Sequence, residues 1–318
     1  MRAVYVAATM CTVATYNLYL GADLTVIFAV TSPEDLAGKA RLVLDQVVAT
    51  DFPARAEAIA RVLVEEQVDV VGLQEVASWS RVVEDGHVER HEVWLDFLSV
   101  LLGALERAGE PYDVHASSPN FQGGADVAGA SSMAVQGRNV ILVRRRSGVR
   151  VTGERTFGFS SALTIATGMP DLVLDVGRSW GWVDAEVDGS TFRFVNVHTE
   201  AWEPRIRDAQ RDEVLAALAA TDRPLVVVGD FNATPEVVGM PEEYVDAWAV
   251  AGRGGAGLTS GQNTGLTGDH ALETRIDYVW VRGAAVADCR VVGGRAQDRT
   301  ASGLWPSDHA GVVAEVTF

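Results

Sequence analysis

The sequence predicts an α/β protein, and three observations carry that expectation: apolar runs that stop abruptly at polar residues, amphipathic segments between them, and acids or amides set at the ends of the runs. Leu225-Val226-Val227-Val228 shows the first most clearly. Four consecutive apolar, mostly β-branched residues read as a strand covered on both faces, and Gly229-Asp230-Phe231-Asn232-Ala233-Thr234-Pro235 ends it. If the strand persists, Asp230 and Asn232 project to one side while Phe231 turns into the core. Such a pair can bind a metal, position a water or hold a phosphate oxygen; it can also simply close the strand as an Asx turn.

The remaining elements follow in chain order. Thr12–Leu18 alternates as a strand and delivers Asn17 near its end. Ser32-Pro33-Glu34-Asp35 starts a helical pattern running to Thr50, and Pro53 opens a second helix to about Gln67. Asp69–Val76 reads as a buried strand ending in Glu75, which either caps nearby backbone or holds a cation. A long amphipathic helix is expected from about Glu92 to Ala108, and the Gly/Ala/Ser-rich stretch from Ser117 to Gly137 as a long functional or mobile loop. Asn139–Val143 returns as a strand, with Val149–Phe159 as its hairpin partner or neighbour. Trp182–Val187 and Thr191–Val197 flank an Asp188-Gly189 turn, the clearest hairpin in the chain, whose second strand ends in His198. Arg205–Ala220 is a helix. Arg275–Val281 is a strand holding Asp277, a residue rarely buried in a strand without a cation or His partner. Ser307-Asp308-His309 precedes the last strand, Gly311–Thr317.

Composition narrows the functional classes. With 318 residues, 48% hydrophobic and 22% charged, the chain has the make-up of a globular protein with a large core, and no apolar run approaches the roughly 20 residues of a membrane-spanning helix. The apolar patch from Met1 to Cys11 is too short for a secretory signal, so a cytoplasmic protein, or a secreted form already trimmed, is expected. Cys11 and Cys289 allow at most one disulfide and read as two buried thiols. The 26 basic and 43 acidic residues leave a net charge of −17, which repels polyanions. Six arginines between Arg138 and Arg155 against the single acid Glu154 are the local exception, either a solvated strand and turn or part of a binding pocket.

Asn17, Glu75, His198, Asp230 with Asn232, Asp277, and Asp308 with His309 all fall at or beside strand ends. In the motifs TYN, LQEV, NVHT, GDFNATP, RIDYVWV and SDH, spread from residue 15 to residue 309, the chain resembles the endonuclease/exonuclease/phosphatase superfamily, which includes DNase I-like and exonuclease III-like enzymes. The resemblance implies a single domain over residues 1–318, built as a four-layer α-β-β-α sandwich of two packed mixed β-sheets with outer helices. It also implies that the strand-end residues converge on one rim, where carboxylates would repel by roughly 4 kcal/mol per close pair at intermediate dielectric. A divalent cation relieves that repulsion, and all-oxygen ligation favours Mg²⁺ or Mn²⁺.

By the same carry-over Glu75 is the principal metal ligand, with Asn17 and Asp308 beside it. Asp277 supports His309, which deprotonates the attacking water or stabilises the phosphorane. Asp230 orients or activates the nucleophile or protonates the leaving group, and Asn232 and His198 donate to the phosphate oxygens. Arg138 and Asn139 are expected to touch substrate. The expected activity is a metal-dependent phosphoesterase, diester or monoester, acting on a small soluble ester rather than duplex DNA; the alternatives are a nuclease or a lipid phosphoesterase of the sphingomyelinase or inositol-phosphatase type. A non-catalytic binding module and a metal site recruited to non-hydrolytic chemistry are weaker alternatives. A phosphate-ester substrate is the expected partner, nucleic acid is disfavoured by charge, and the protein is expected to be a monomer. Ser307 does not itself lie in a G-x-S-x-G element, so a serine hydrolase centred on it is not supported.

Overall fold

The computed structural model describes residues 9–85, 88–269 and 271–318. The first half of the chain runs β1 (Met10–Asn17), α1 (Pro33–Ala49), α2 (Phe52–Glu65), β2 (Val70–Gln74), β3 (Ser78–Asp85), β4 (Val88–Asp96), α3 (Phe97–Arg107), β5 (Tyr112–Ala125), β6 (Met133–Arg144) and β7 (Arg150–Gly158). The second runs β8 (Leu163–Ala166), β9 (Val173–Val176), β10 (Ser179–Val187), β11 (Ser190–His198), α4 (Pro204–Leu218), β12 (Leu225–Asp230), β13 (Val245–Asp246), α5 (Ala247–Ala251), β14 (Asp277–Arg282), β15 (Ala285–Val292) and β16 (Gly311–Thr317).

Two mixed sheets result. The first has the order β15-β16-β1-β2-β6-β3-β4, with β5 also paired to β6; the second is β13-β14-β12-β11-β10-β7; β8 and β9 form a small separate hairpin. β1 and β2 run parallel, as do β11 and β12, so residues at their C-terminal ends lie side by side. Apolar residues from both sheets, among them Val13, Val70, Ile141, Phe192, Phe194, Val226, Val228, Val279 and Val312, form one buried layer between them. The outer face of the first sheet buries against α1–α3 through Val43, Val47, Ile59, Leu63, Phe97 and Leu101. The outer face of the second receives Val214 and Leu218 of α4. The layers are therefore helix, sheet, sheet, helix, the sandwich the motifs imply.

Local chemistry explains the element ends. Ser32 caps α1 and Asp51 caps α2, each with proline in the first turn, and the Asp188-Gly189 turn takes positive φ at both positions between paired Val187 and Ser190. Three sequence expectations need correction. The 117–137 stretch is not a loop but mostly β5 and β6, paired from Tyr112–Arg144 to Ala125–Met133 across two irregularities. Residues Glu92–Asp96 belong to β4, paired with β3, and the helix begins only at Phe97, where the Asp96 carboxylate accepts from Ser99 N at 2.8 Å. β7 does not join β6, whose pairing is already taken by β2, β3 and β5; it crosses to the second sheet and pairs with β10. Of the N-terminal patch, residues 1–8 lie outside the described residues. Cys11 and Cys289 are both buried thiols.

Two close approaches seat the rim. Gly229, paired with Val197, has φ +150°, and a Cβ there would lie 1.9 Å from the Val197 carbonyl oxygen, so β12 can run this close to β11 only with glycine. Gly72 lets the buried Asn196 of the opposite sheet reach in, donating to the carbonyls of Leu73 and Val140 at 3.0 and 3.1 Å, while Gln74 Nε2 donates to Asn196 Oδ1 at 2.7 Å. This satisfied polar link fixes the first sheet against the second just below the strand ends.

Candidate active site

The strand ends gather on one rim. His198 closes β11, Asp230 closes β12 and Asp277 opens β14, and register pairs His198 with Asp230 and Asp230 with Asp277 across three adjacent strands. Asn17 reaches them from the first sheet: its Nδ2 donates to Asp230 Oδ2 at 3.0 Å and to Glu75 Oε1 at 3.3 Å. Glu75 sits just past β2, with Oε2 accepting from Leu20 N at 2.9 Å. His309, immediately before β16, contacts Asp277 Oδ2 through Nδ1 at 2.8 Å and directs Nε2 toward Asp230 Oδ2 at 3.9 Å. Asp308 Oδ1 lies 3.3 Å from Ser307 Oγ.

Asn232 shows that the two readings of the β12 end are compatible. Its backbone N–H donates to Asp230 Oδ1 at 2.8 Å, an Asx turn, while its side chain lies over the same end, Nδ2 donating to Thr199 O at 2.9 Å. The turn gives Asn232 a φ of +48°, and Glu75 and Tyr19 share this left-handed conformation at +54° and +53°. Glutamate and tyrosine adopt it only at a cost, so the backbone around the rim is held by its surroundings rather than by preference.

Electrostatics set these groups apart. Burial, reinforced by Asp277, pushes the Asp230 carboxyl up to about 7, against His309, the Asn232 N–H and Asn17. Burial likewise pushes Asp308 up to about 6, with Glu75 adding and His309 and Arg55 opposing. Burial disfavours charge on His309, yet Asp277, Asp308 and Asp230 outweigh it and raise the imidazolium well above its ordinary range. His198 moves the other way, lowered by burial and then by Arg178 and His309. Arg178 Nη1 donates to His198 Nε2 at 3.0 Å, which leaves the ring proton on Nδ1.

Arg178 and Glu200 are rim residues that the sequence reading misses. Glu200 is fully buried, 3.7 Å from Arg178 Nε, and Oε1 accepts from Trp202 N. Glu200 follows NVHT directly and could be read with it; nothing in the sequence around Arg178 marks it. Arg138 bonds Asp96, and Asn139 is buried with Nδ2 donating to Ser179 O and Oγ at 2.8 and 3.0 Å, Ser179 being the β10 residue paired with His198.

The donors suit a hard divalent cation on the Glu75 side. Glu75 adds to the rise of the Asp308 carboxyl, so these two acids repel one another there, and the spare donors on that side are oxygens. Asp230, Asp277 and His309 also bring ligand atoms within 4.8 Å of one another. That trio suits proton handling better, because His309 Nδ1 is engaged by Asp277 and a protonated imidazole has no lone pair to offer.

The profile of the endonuclease/exonuclease/phosphatase family matches residues 14–309. The chain belongs to this family. No curated protein sequence matches it significantly. Among solved structures, this family member is similar to an endonuclease/exonuclease/phosphatase family protein from Bacteroides thetaiotaomicron (19% identity, 98% of this chain and 96% of that one, TM-score 0.60). It is also similar to truncated Caenorhabditis elegans TDP2 (16%, 97% and 98%, TM-score 0.57) and to D. rerio TDP2 complexed with single strand DNA product (15%, 98% and 100%, TM-score 0.57). At these identities the likeness shows the fold, a DNase I-like sandwich. Family membership supports a hydrolase acting on phosphoester bonds in a family generally dependent on divalent metals.

Proposed function

We propose that the protein, as one domain, is a divalent-metal-dependent phosphoesterase that cleaves a small soluble phosphate ester by attack of water. The observation that carries this reading is the Asp277–His309 pair facing Asp230, which in turn is bonded to Asn17. Glu75, Asn17 and Asp308 would hold Mg²⁺ or Mn²⁺, which when bound supplies positive charge to the phosphate. Asp230, fixed by the Asn17 and Asn232 donors, orients the attacking water and accepts its proton. His309, kept cationic by Asp277, stabilises the charge that develops on the phosphate oxygens. The spare Nδ2 hydrogen of Asn232 and the Arg178 guanidinium would donate to a non-bridging oxygen; His198 orients Arg178, because its own Nε2 is an acceptor.

A small ester is favoured over duplex DNA because five of the six arginines in the segment that looked basic are paired with acids. Arg138, Arg144, Arg145, Arg146 and Arg150 form ion pairs with Asp96, Asp69, Asp113, Glu110 and Glu186. A nuclease is the second reading, favoured by the TDP2 neighbour whose structure holds single-strand DNA.

The test is hydrolysis of bis-p-nitrophenyl phosphate and p-nitrophenyl phosphate with Mg²⁺ or Mn²⁺, against EDTA and Glu75→Ala. Metal-dependent release lost in a folded Glu75→Ala variant is expected, and the diester-to-monoester ratio assigns the ester class. Full activity in EDTA would sink the metal assignment.

A further inference from the structure

Behind the rim lies a cation outside the proposed chemistry. Arg55, in the first turns of α2, has no solvent-exposed surface. Among the described residues it forms no ion pair; its donors go to backbone carbonyls. Nε donates to Thr50 O at 2.8 Å, Nη1 to Leu18 O at 2.7 Å and Pro306 O at 3.0 Å, and Nη2 to Tyr19 O at 3.2 Å. The guanidinium lies 4.9 Å from the Phe52 ring centre, with Phe97 and Tyr19 at 5.7 and 5.8 Å. A buried charge without a counter-ion is costly, and helix packing alone would be better served by leucine or methionine.

What those carbonyls belong to explains its presence. Leu18 and Tyr19 directly follow Asn17. Pro306 precedes Ser307, whose Oγ donates to Asn17 O at 2.7 Å, and Ser307 precedes Asp308. One planar fork thus grips both chain limbs from which Asn17 and Asp308 project, although Arg55 and Pro306 are 251 residues apart in sequence. Asp308 is also the acid whose field most favours the Arg55 charge.

We propose that Arg55 is a positioning residue for the metal centre: its fork sets the spacing of Asn17 and Asp308, and its charge partly offsets the acidic rim. This inference rests on the metal assignment above. A merely structural arginine would lower stability when replaced but leave the cation affinity of the folded protein unchanged, whereas a positioning residue must move that affinity.

The experiment is a Mn²⁺ titration followed by electron paramagnetic resonance on the full chain, comparing wild type, Arg55→Lys, Arg55→Met and Glu75→Ala at a temperature where circular dichroism shows each folded. Lysine keeps the charge but cannot span four carbonyls. Arg55→Lys is expected to weaken Mn²⁺ about tenfold and Arg55→Met at least as much. A folded Arg55→Lys protein with wild-type affinity overturns the inference, and that variant decides alone if Arg55→Met does not fold. Should Glu75→Ala bind Mn²⁺ as wild type does, the metal assignment falls and the positioning role falls with it. Loss in Glu75→Ala but not in Arg55→Lys removes only the role of Arg55.

Discussion

Asp230 Oδ2 is the focus of the rim, with Asn17 Nδ2 at 3.0 Å and the Nε2 atoms of His198 and His309 at 3.7 and 3.9 Å. Its carboxyl is raised by burial to about 7, so the folded protein holds a proton that the unfolded chain has already released near its ordinary value of 3.8. The stability this contributes is present below pH 3.8 and is lost as pH rises toward 7. Asp230→Asn should therefore stabilise the EDTA-treated protein at pH 8, by on the order of 2 kcal/mol, with a smaller gain at pH 5. Urea unfolding at the two pH values reads this, and an equal effect at both would remove Asp230 as the source. The sequence alone singles out Asp277, because a carboxylate inside an apolar strand needs a partner, and the partner is His309. It is silent on Arg178 and Arg55, whose partners are a histidine 20 residues away and carbonyls that lie mostly in distant loops. The pairing of Arg138 with Asp96 is hidden for a related reason: charge density along the chain says nothing about which acids stand opposite.

The strand ends matter more than the strands. β12 is legible from its unbroken apolar run, and its role depends on a residue the pattern does not explain, Gly229. Gly229→Ala would drive a methyl into the Val197 carbonyl and strain a φ of +150°, so β12 must separate from β11 at the pair that carries His198 and Asp230. A loss of about 3 kcal/mol or more in denaturant unfolding is expected, and near-normal stability would contradict so close an approach of β12 to β11. Where the elements depart from expectation, a tertiary partner decides. Residues 92–96 have helical spacing yet pair with β3, and the small residues of 117–137 suit a long hairpin as well as a loop, a choice that periodicity cannot make.

For the whole molecule, fold and family are legible because short motifs recur in order at strand ends from residue 15 to residue 309; substrate is not, because specificity lies in loops and charge pairing that only the folded chain displays. With a net charge of −17 and the 138–150 arginines paired, duplex DNA should not compete with bis-p-nitrophenyl phosphate at physiological ionic strength. Tight inhibition by DNA would move the reading to a nuclease. The Asn17–Asp230 hydrogen bond carries one more consequence, since it joins residues 213 apart in sequence and on opposite sheets. Closing so long a loop is slow compared with forming α1 to α3, so a refolding chain regains its helices well before the two halves of its rim meet. Turnover then returns last, and the enzyme's own activity serves as a clock for the final docking of one sheet on the other.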